Sequence, residues 1–508
     1  MSKSYNQANK NKLLMNNYSK KMFNFYKPLL KLLIKESHIA PYFSIKNNST
    51  MRNFLTYIYL QFIEVSKFIS TLNIANSRRE ITNVGAKINI IIKEHLSKSI
   101  YTDSSIITYI SNNLNNCKIF SYENIIHNKK FVLEFIVYDK ININNLDKIV
   151  KNMLIFLQIL IKISNNSNNE INECSKDGIS ITFFLTPFLK KLNITKTETE
   201  TREILGANNV NSGFNYICLN SGSIFIYRKE DFFKVFVHES VHGYGVDRAL
   251  HIDFSKNENY NKFLKLFAFA NIHTTKVGIN EAITEFWTSL LYLCINSYQD
   301  SKNLYSFIYN FERLYKLELV HALYQISKIL HYNNLTYNSF IKNSDSDSDS
   351  DSNSNSNYRE NSHIFSYFIV KTMMLLNHEH MLNSQLFDLN DIFKLEHIKT
   401  NSFINIKLKS DTSSLNKLFA NLYDYARDPL FIKIMNIVEI EHMKHYNKYI
   451  SNYGMNKTQK QNKNKTKIKN LKLTRHKLTR HKNTTNDKMN NTLYMLSNLK
   501  MMIYDYNI

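Results

Sequence analysis

Apolar residues recur at helical spacing through the first part of the chain. Phe23, Tyr26, Leu29, Leu30 and Leu33 form one stripe, and Leu55, Ile58, Tyr59, Phe62 and Val65 another. Residues three and four apart share a helix face, so residues 1–115 read as a helical region. At Cys117 the texture changes. Lys118–Tyr122 and Phe131–Tyr138 are rich in aromatic and β-branched residues, and the polar run His127-Asn128-Lys129-Lys130 between them suits a turn, which predicts a β-hairpin. A long apolar helix follows over 145–164, then a strand over 178–185 closed by Pro187. Residues 206–213 read as a loop and 216–219 and 223–228 as short strands, and a helix begins near Lys229 or Glu230. Beyond it the pattern predicts a short apolar helix over 261–270, one over 281–295 with Asn280 as its N-cap, another over 304–331, and helices from His363 to about Tyr446. The expected fold is α+β: mostly helical, with a small mixed sheet packed on the helix that starts near residue 230.

Two stretches break this texture. Ser344–Asn357 alternates Ser with Asp and then with Asn and holds no apolar residue, so it reads as a flexible solvated linker. Lys457–Lys482 carries eleven Lys or Arg and no acid, with Lys-Leu-Thr-Arg-His repeated in tandem over 472–481. It reads as a disordered basic segment suited to phosphate contacts with nucleic acid, to an acidic partner or to nuclear targeting; a merely solubilising tail is the open alternative. Without interleaved aromatic residues, base-specific recognition has no support. The chain divides into a helical N-terminal region (1–115), a central region (116–335), the linker (344–357), a helical region packing on the core (358–453), the basic segment (454–488) and a C-terminal segment (489–508).

Composition narrows the class. With 43% hydrophobic residues over 508 positions the chain can bury a core, and its length suggests roughly two to four domains. Abundant Asn, Lys and Ile beside 9 Gly and 4 Pro look like the codon bias of an AT-rich genome, so Asn-rich runs carry little functional weight. The net charge of +23 favours acidic partners and says nothing about fold. Cys117, Cys174, Cys218 and Cys294 lie far apart with no C-x-x-C pair, so disulfide-stabilised secretion is not expected and a reducing, cytoplasmic setting is the default. Met1–Lys21 is polar and lacks the apolar core of a secretory signal. The most apolar run, Met153–Ile163, is interrupted by Gln158 and Lys162 and falls short of the about 20 residues a membrane helix needs.

The chemistry lies in Phe236-Val237-His238-Glu239-Ser240-Val241-His242-Gly243. His238 and His242 stand four apart on a predicted helix, so both imidazoles point at one spot. Such a pair can hold one zinc ion, and the Glu between them projects towards water bound there. A catalytic zinc needs a third protein ligand and an open position. Asp247, His251, Asp253, His273, Glu281 and Glu285 are candidates. Glu281 fits best, since it opens a second helix in Gly278-Ile279-Asn280-Glu281-Ala282-Ile283-Thr284-Glu285 and can face the first. Glu285, one turn on, can accept the other N–H of a ligating histidine and so fix its tautomer. Six of the nine glycines fall between Gly206 and Gly278, which suggests that backbones approach closely in this region.

His-Glu-x-x-His followed by Asn-Glu-Ala-Ile-x-acid resembles the thermolysin-type zinc metallopeptidases, the gluzincins. The resemblance covers roughly residues 179–296 and implies a zincin-like catalytic domain, one Zn2+ per chain held by His238, His242 and Glu281, Glu239 as general base, and Glu285 as the support of a ligating histidine. The sequence departs from thermolysin in a longer gap between His242 and Glu281 and in Glu rather than Asp at 285. The run from Tyr227 to Asp247 is also loosely similar to uncharacterised metalloprotease-like proteins of large DNA viruses, which would place the chain in a virion or in host cytoplasm. The metzincin pattern is the rival. Gly245 matches its glycine, but Arg248 stands where its third histidine belongs, and Asp247 lies one position early.

The expected activity is hydrolysis of peptide bonds in a peptide or protein substrate. Glu239 would take the proton of a metal-activated water and deliver it to the leaving amine. The donor to the oxyanion stays open among Tyr244, His273, His363 and Tyr367. A strand such as Ser223–Arg228 is expected to pair with extended substrate at a sheet edge. Two other readings stand beside this one: a catalytically idle protein that keeps the zincin fold and binds polyanions through its basic segment, and a polyanion-binding protein whose motif is accidental. The intact Glu239 favours the enzyme, since a scaffold needs no base.

Overall fold

The N-terminal region forms helices α1 (Asn17–Lys35), α2 (Ser49–Ser70), α3 (Gly85–Glu94) and α4 (Ser104–Asn112), but also one strand, β1 (Arg78–Ile81), where only helices were expected. The computed structural model describes residues 15–46, 48–82, 84–164, 174–194, 203–216, 218–246, 254–270, 277–342, 358–383, 387–388, 405–408, 412–466 and 491–508. Asn16 and Asn48 cap α1 and α2 by accepting from the amides of Ser19 and Met51. Strand β1 escapes a periodicity argument because its residues are Arg-Arg-Glu-Ile. Charge is normal on an edge strand, and Arg78 Nη1 donates to both oxygens of Asp147 at 2.7 and 2.6 Å.

The predicted hairpin forms from β2 (Lys118–Ile126) and β3 (Lys129–Val137), antiparallel and in register from Lys118↔Val137 to Ile126↔Lys129. His127 and Asn128 alone make the turn, both at positive φ (48° and 60°), as a two-residue hairpin connection requires; Lys129 and Lys130 already belong to the strand. The apolar helix α5 (Ile143–Ser164) returns the chain to β4 (Gly178–Phe184), parallel to β3. A single turn, α6 (Ala207–Val210), precedes β5 (Gly213–Asn215) and β6 (Ser221–Ile226). The strand expected at 216–219 is thus displaced to 213–215, with Cys218 at φ 55° in the turn that follows. The sheet has six strands in the order β1-β2-β3-β4-β6-β5, with β6 parallel to β4 and β5 antiparallel to β6.

The same neighbourhood of β4 and β6 corrects the expectation that spacing alone made a disulfide improbable. Cys174 precedes β4, and Cys218 lies in the turn before β6. Ser175 N donates to Leu219 O at 2.7 Å, and the two cysteines form a disulfide. Cys117 and Cys294 are free and buried.

One face of the sheet packs on the large helical core through Leu133, Phe135, Ile181, Phe183 and Ile224. Ile119, Ile136, Phe184 and Phe225 on the other face meet Ile88 and Ile91 of α3 and Ile106 and Ile110 of α4. On the large face lie α7 (Phe232–Gly243), α8 (Glu258–Lys265), α9 (Ile279–Gln299), α10 (Leu304–Tyr332) and the single turn α11 (Tyr337–Phe340). Helix α8 ends before Phe267 and Phe269, which instead bridge to Ile341 and Tyr358. A π-helical stretch, Phe365–Val370, continues into α12 (Lys371–Leu376) and α13 (His378–Asn383). The helices expected without break to residue 446 are interrupted by a two-stranded sheet, β7 (Phe387–Asp388) with β8 (Asn405–Leu408), before α14 (Thr412–Ala426) and α15 (Pro429–Thr466). Helix α15 therefore runs into the basic segment expected to be disordered; the rest of that segment over 467–490, and the linker 344–357, lie outside the described residues. No helix among the described residues is long and apolar enough to cross a membrane.

The chain end returns to the core. Met501, Met502 and Ile503 are buried, and Met15 bridges to Tyr506.

Candidate metal centre

Helix α7 is buried along its whole length, with Phe232, Phe233, Phe236, Val237 and Val241 in the core. Its spacing turns His238 and His242 to one side, where α9 packs. Gly278 rather than Asn280 occupies the N-cap of α9, which begins at Ile279 and carries Glu281 in its first turn. A side chain at Gly278 would meet His363 Nδ1 at 3.0 Å, so glycine lets the residues just before the π-helical stretch close on the start of α9.

His238 Nε2 and His242 Nε2 lie 3.0 Å apart, and each lies 3.4 Å from Glu281 Oε2. Tetrahedral zinc with bonds of about 2.0–2.1 Å separates its ligand atoms by about 3.3 Å. The triangle has that size. Glu281 Oε2 is buried and accepts no hydrogen bond in the chain, as suits an oxygen reserved for a metal. His238, His242 and Glu281 could hold a metal ion, and they are the one such group of three or more among the described residues. Of the rival third ligands, Asp247, His251, Asp253 and His273 lie outside the described residues.

Glu285 stands one turn beyond Glu281, with Oε1 at 2.8 Å from His238 Nδ1. Burial alone would push the Glu285 carboxyl up, but Lys234 and His238 outweigh it and hold it well below the usual carboxylate range. Lys234, one turn before His238, contacts the same Glu285 oxygen. Nothing singled out Lys234 in the sequence, although a lysine four residues before a ligand on an apolar helix was a legible signal.

Glu239 faces the sheet edge. Burial raises its carboxyl above the ordinary range, against the opposing pull of His238 and His242. Strand β5 is the edge of the sheet, and Asn215 Nδ2 donates to Glu239 O at 2.7 Å. A Cβ at Gly213 would meet Val235 Cγ1 at 2.9 Å and Glu239 Oε1 at 3.3 Å, so only glycine lets β5 lie this close to α7. The peptide-pairing edge expected on 223–228 is corrected accordingly: β6 is enclosed between β4 and β5.

Of the residues considered for the oxyanion, Tyr367 is at the centre, its ring 6.1 Å from that of His238. Burial, then Glu281, Glu239 and Glu285, raise its phenol well above the usual value, so it remains a donor. His363 sits beside it, ring to ring at 6.1 Å, while Tyr244 is buried in the core. Tyr101, in the loop before α4, lies within electrostatic range of Glu281 and Glu239. Its phenol is raised by burial and then by Glu281 and Glu239, and its carbonyl accepts from Tyr227 Oη at 2.6 Å. The residue stays 41% exposed. Comparison with known proteins yields no family model that matches the chain, no similar curated protein and no similar solved structure.

Proposed function

We infer that the chain is a zinc-dependent metallopeptidase with a zincin-like centre of the gluzincin type. The observation that carries this reading is the triangle of His238, His242 and Glu281, at zinc-ligand spacing, with Glu239 between the histidines in sequence and beside an edge strand in space. When bound, zinc would activate water and polarise the scissile carbonyl. Glu239 would be the group that holds the proton of the attacking water and hands it to the leaving amine. Tyr367, whose ring lies beside that of His238, donates to the oxygen that gains charge. Extended substrate adds to the edge of β5, which brings its backbone alongside Glu239.

The test is peptide cleavage by the full chain and by Glu239→Gln, with zinc content measured on both. The reading requires that Glu239→Gln keep its zinc and lose cleavage. Zinc bound at one per chain with no turnover of any member of a peptide library would favour a catalytically idle zincin-fold protein instead.

A further inference from the structure

Behind the metal centre a set of buried charges runs from Glu285, the support of His238, away to the far end of the chain. Lys234, Glu285, Asp231, Lys190, Lys500 and Asp505 are all essentially inaccessible to water. Their contacts form a chain that ends on a ligand. Asp505 Oδ2 is 2.8 Å from Lys500 Nζ, and Lys500 Nζ is 2.6 Å from Asp231 Oδ1 at the start of α7. Met501, next to Lys500, accepts from Lys234 Nζ on its sulfur at 2.8 Å. Lys234 Nζ in turn contacts Glu285, whose same oxygen is 2.8 Å from His238 Nδ1.

We propose that Lys234 is a positioning residue for the metal centre: clamped between Met501 of the C-terminal segment and Glu285, it holds the Glu285 carboxylate against His238 Nδ1. The proposal rests on the metallopeptidase reading and adds to it a cation and a segment from the far end of the chain. Geometry supports it. Glu285 Oε1 lies between one imidazole and one ammonium, and a carboxylate buried with only the imidazole would be free to turn away. Lys234 and His238 are four apart on α7, so both reach the same oxygen from one helix face. Its backing comes from outside α7: Met501 Sδ meets Nζ, and Met501 O and N are tied to Lys371 and Asp231 at 3.2 and 3.3 Å. Partners that orient a ligating histidine govern metal affinity by about ten- to a hundredfold.

The experiment measures the zinc dissociation constant by competition with a chromophoric chelator, and the visible spectrum of the cobalt-substituted protein, on the full-length wild type, Lys234→Met and the charge-balanced double variant Lys234→Met/Glu285→Gln. Thermal unfolding without metal reports folding. We expect both variants to bind zinc about tenfold or more weakly and to show a shifted cobalt spectrum, with the double variant unfolding close to the wild-type temperature. Wild-type zinc affinity in Lys234→Met overturns the proposal. Should that variant fail to fold, wild-type affinity in the double variant overturns it equally. A wild type that binds no zinc would instead defeat the metallopeptidase reading itself.

Discussion

At the start of α7, Asp231 is enclosed by lysines; near its end, Glu239 meets none. Lys500 and Lys190 lie 2.6 and 3.3 Å from the Asp231 carboxylate, and Met501 N donates to it. Burial would raise Asp231, but Lys500 and Lys190 outweigh it and hold it at about 2. At the other end Glu239 and Glu281 face two imidazoles, and among the described residues no Lys or Arg stands within ion-pair distance of either. The two clusters sit at opposite ends of one helix, yet one is closed by its own cations and the other leaves the carboxyls of Glu239 and Glu281 for something else to neutralise. Buried charge that is fully paired organises structure, whereas buried charge left short of a cation is where a metal and a reacting group belong.

Breaking the metal end should cost activity, and breaking the base end should cost stability. The largest effect is expected from Glu239→Gln, which should lower peptide cleavage by a factor on the order of 10²–10⁴ in a steady-state assay while zinc stays bound. Next, Glu281→Ala should emerge from gel filtration without zinc, whereas Asp247→Ala should keep it; metal analysis of both decides between the two candidate ligands. At the base end, Lys500→Met strands Asp231 and Asp505 without their shared cation and should destabilise the fold by about 3–5 kcal/mol in denaturant unfolding, with zinc affinity of the folded fraction much less affected.

The smallest effect sharpens the comparison at a third buried carboxyl. Glu360 accepts from Tyr358 Oη and from the amide of Phe365, ahead of the π-helical stretch that carries Tyr367. Burial pushes it up to about 8 despite those two donors. The folded chain therefore keeps a proton that the unfolded chain releases near pH 4.3, so stability from this group is fully present below that pH and is lost as pH rises to about 8. Between pH 5.5 and 8 the loss should be on the order of 2–3 kcal/mol, and Glu360→Gln should flatten it in paired unfolding curves.

How much was legible in the sequence follows the range of the interactions. His238, Glu239 and His242 were readable because helix geometry alone brings i and i+4 together. Glu281 and Glu285 were readable from the same spacing on a second helix, and the hairpin from its alternation around two turn residues. The rest depends on contacts distant in sequence. Tyr101 is held in place by the hydroxyl of Tyr227, far along the chain, which donates to its carbonyl. Cys174 meets Cys218 only because β4 and β6 are neighbours. Strand β1 is polar, and β5 is three residues long, so neither leaves a periodicity to find. The role of Lys500 and Asp505 was invisible because ordinary polar residues in a chain end carry no sign that the segment re-enters the core.

Whether His238, His242 and Glu281 hold one zinc ion together is open to direct measurement. X-ray absorption at the zinc edge of the metal-replete full chain tests it most directly. The expected result is one zinc per chain with two imidazole nitrogens and oxygen ligands at about 2.0–2.2 Å, and loss of one oxygen ligand or of the metal in Glu281→Ala. A chain that takes up no zinc, a shell containing sulfur or a third imidazole, or a spectrum unchanged in Glu281→Ala would contradict it.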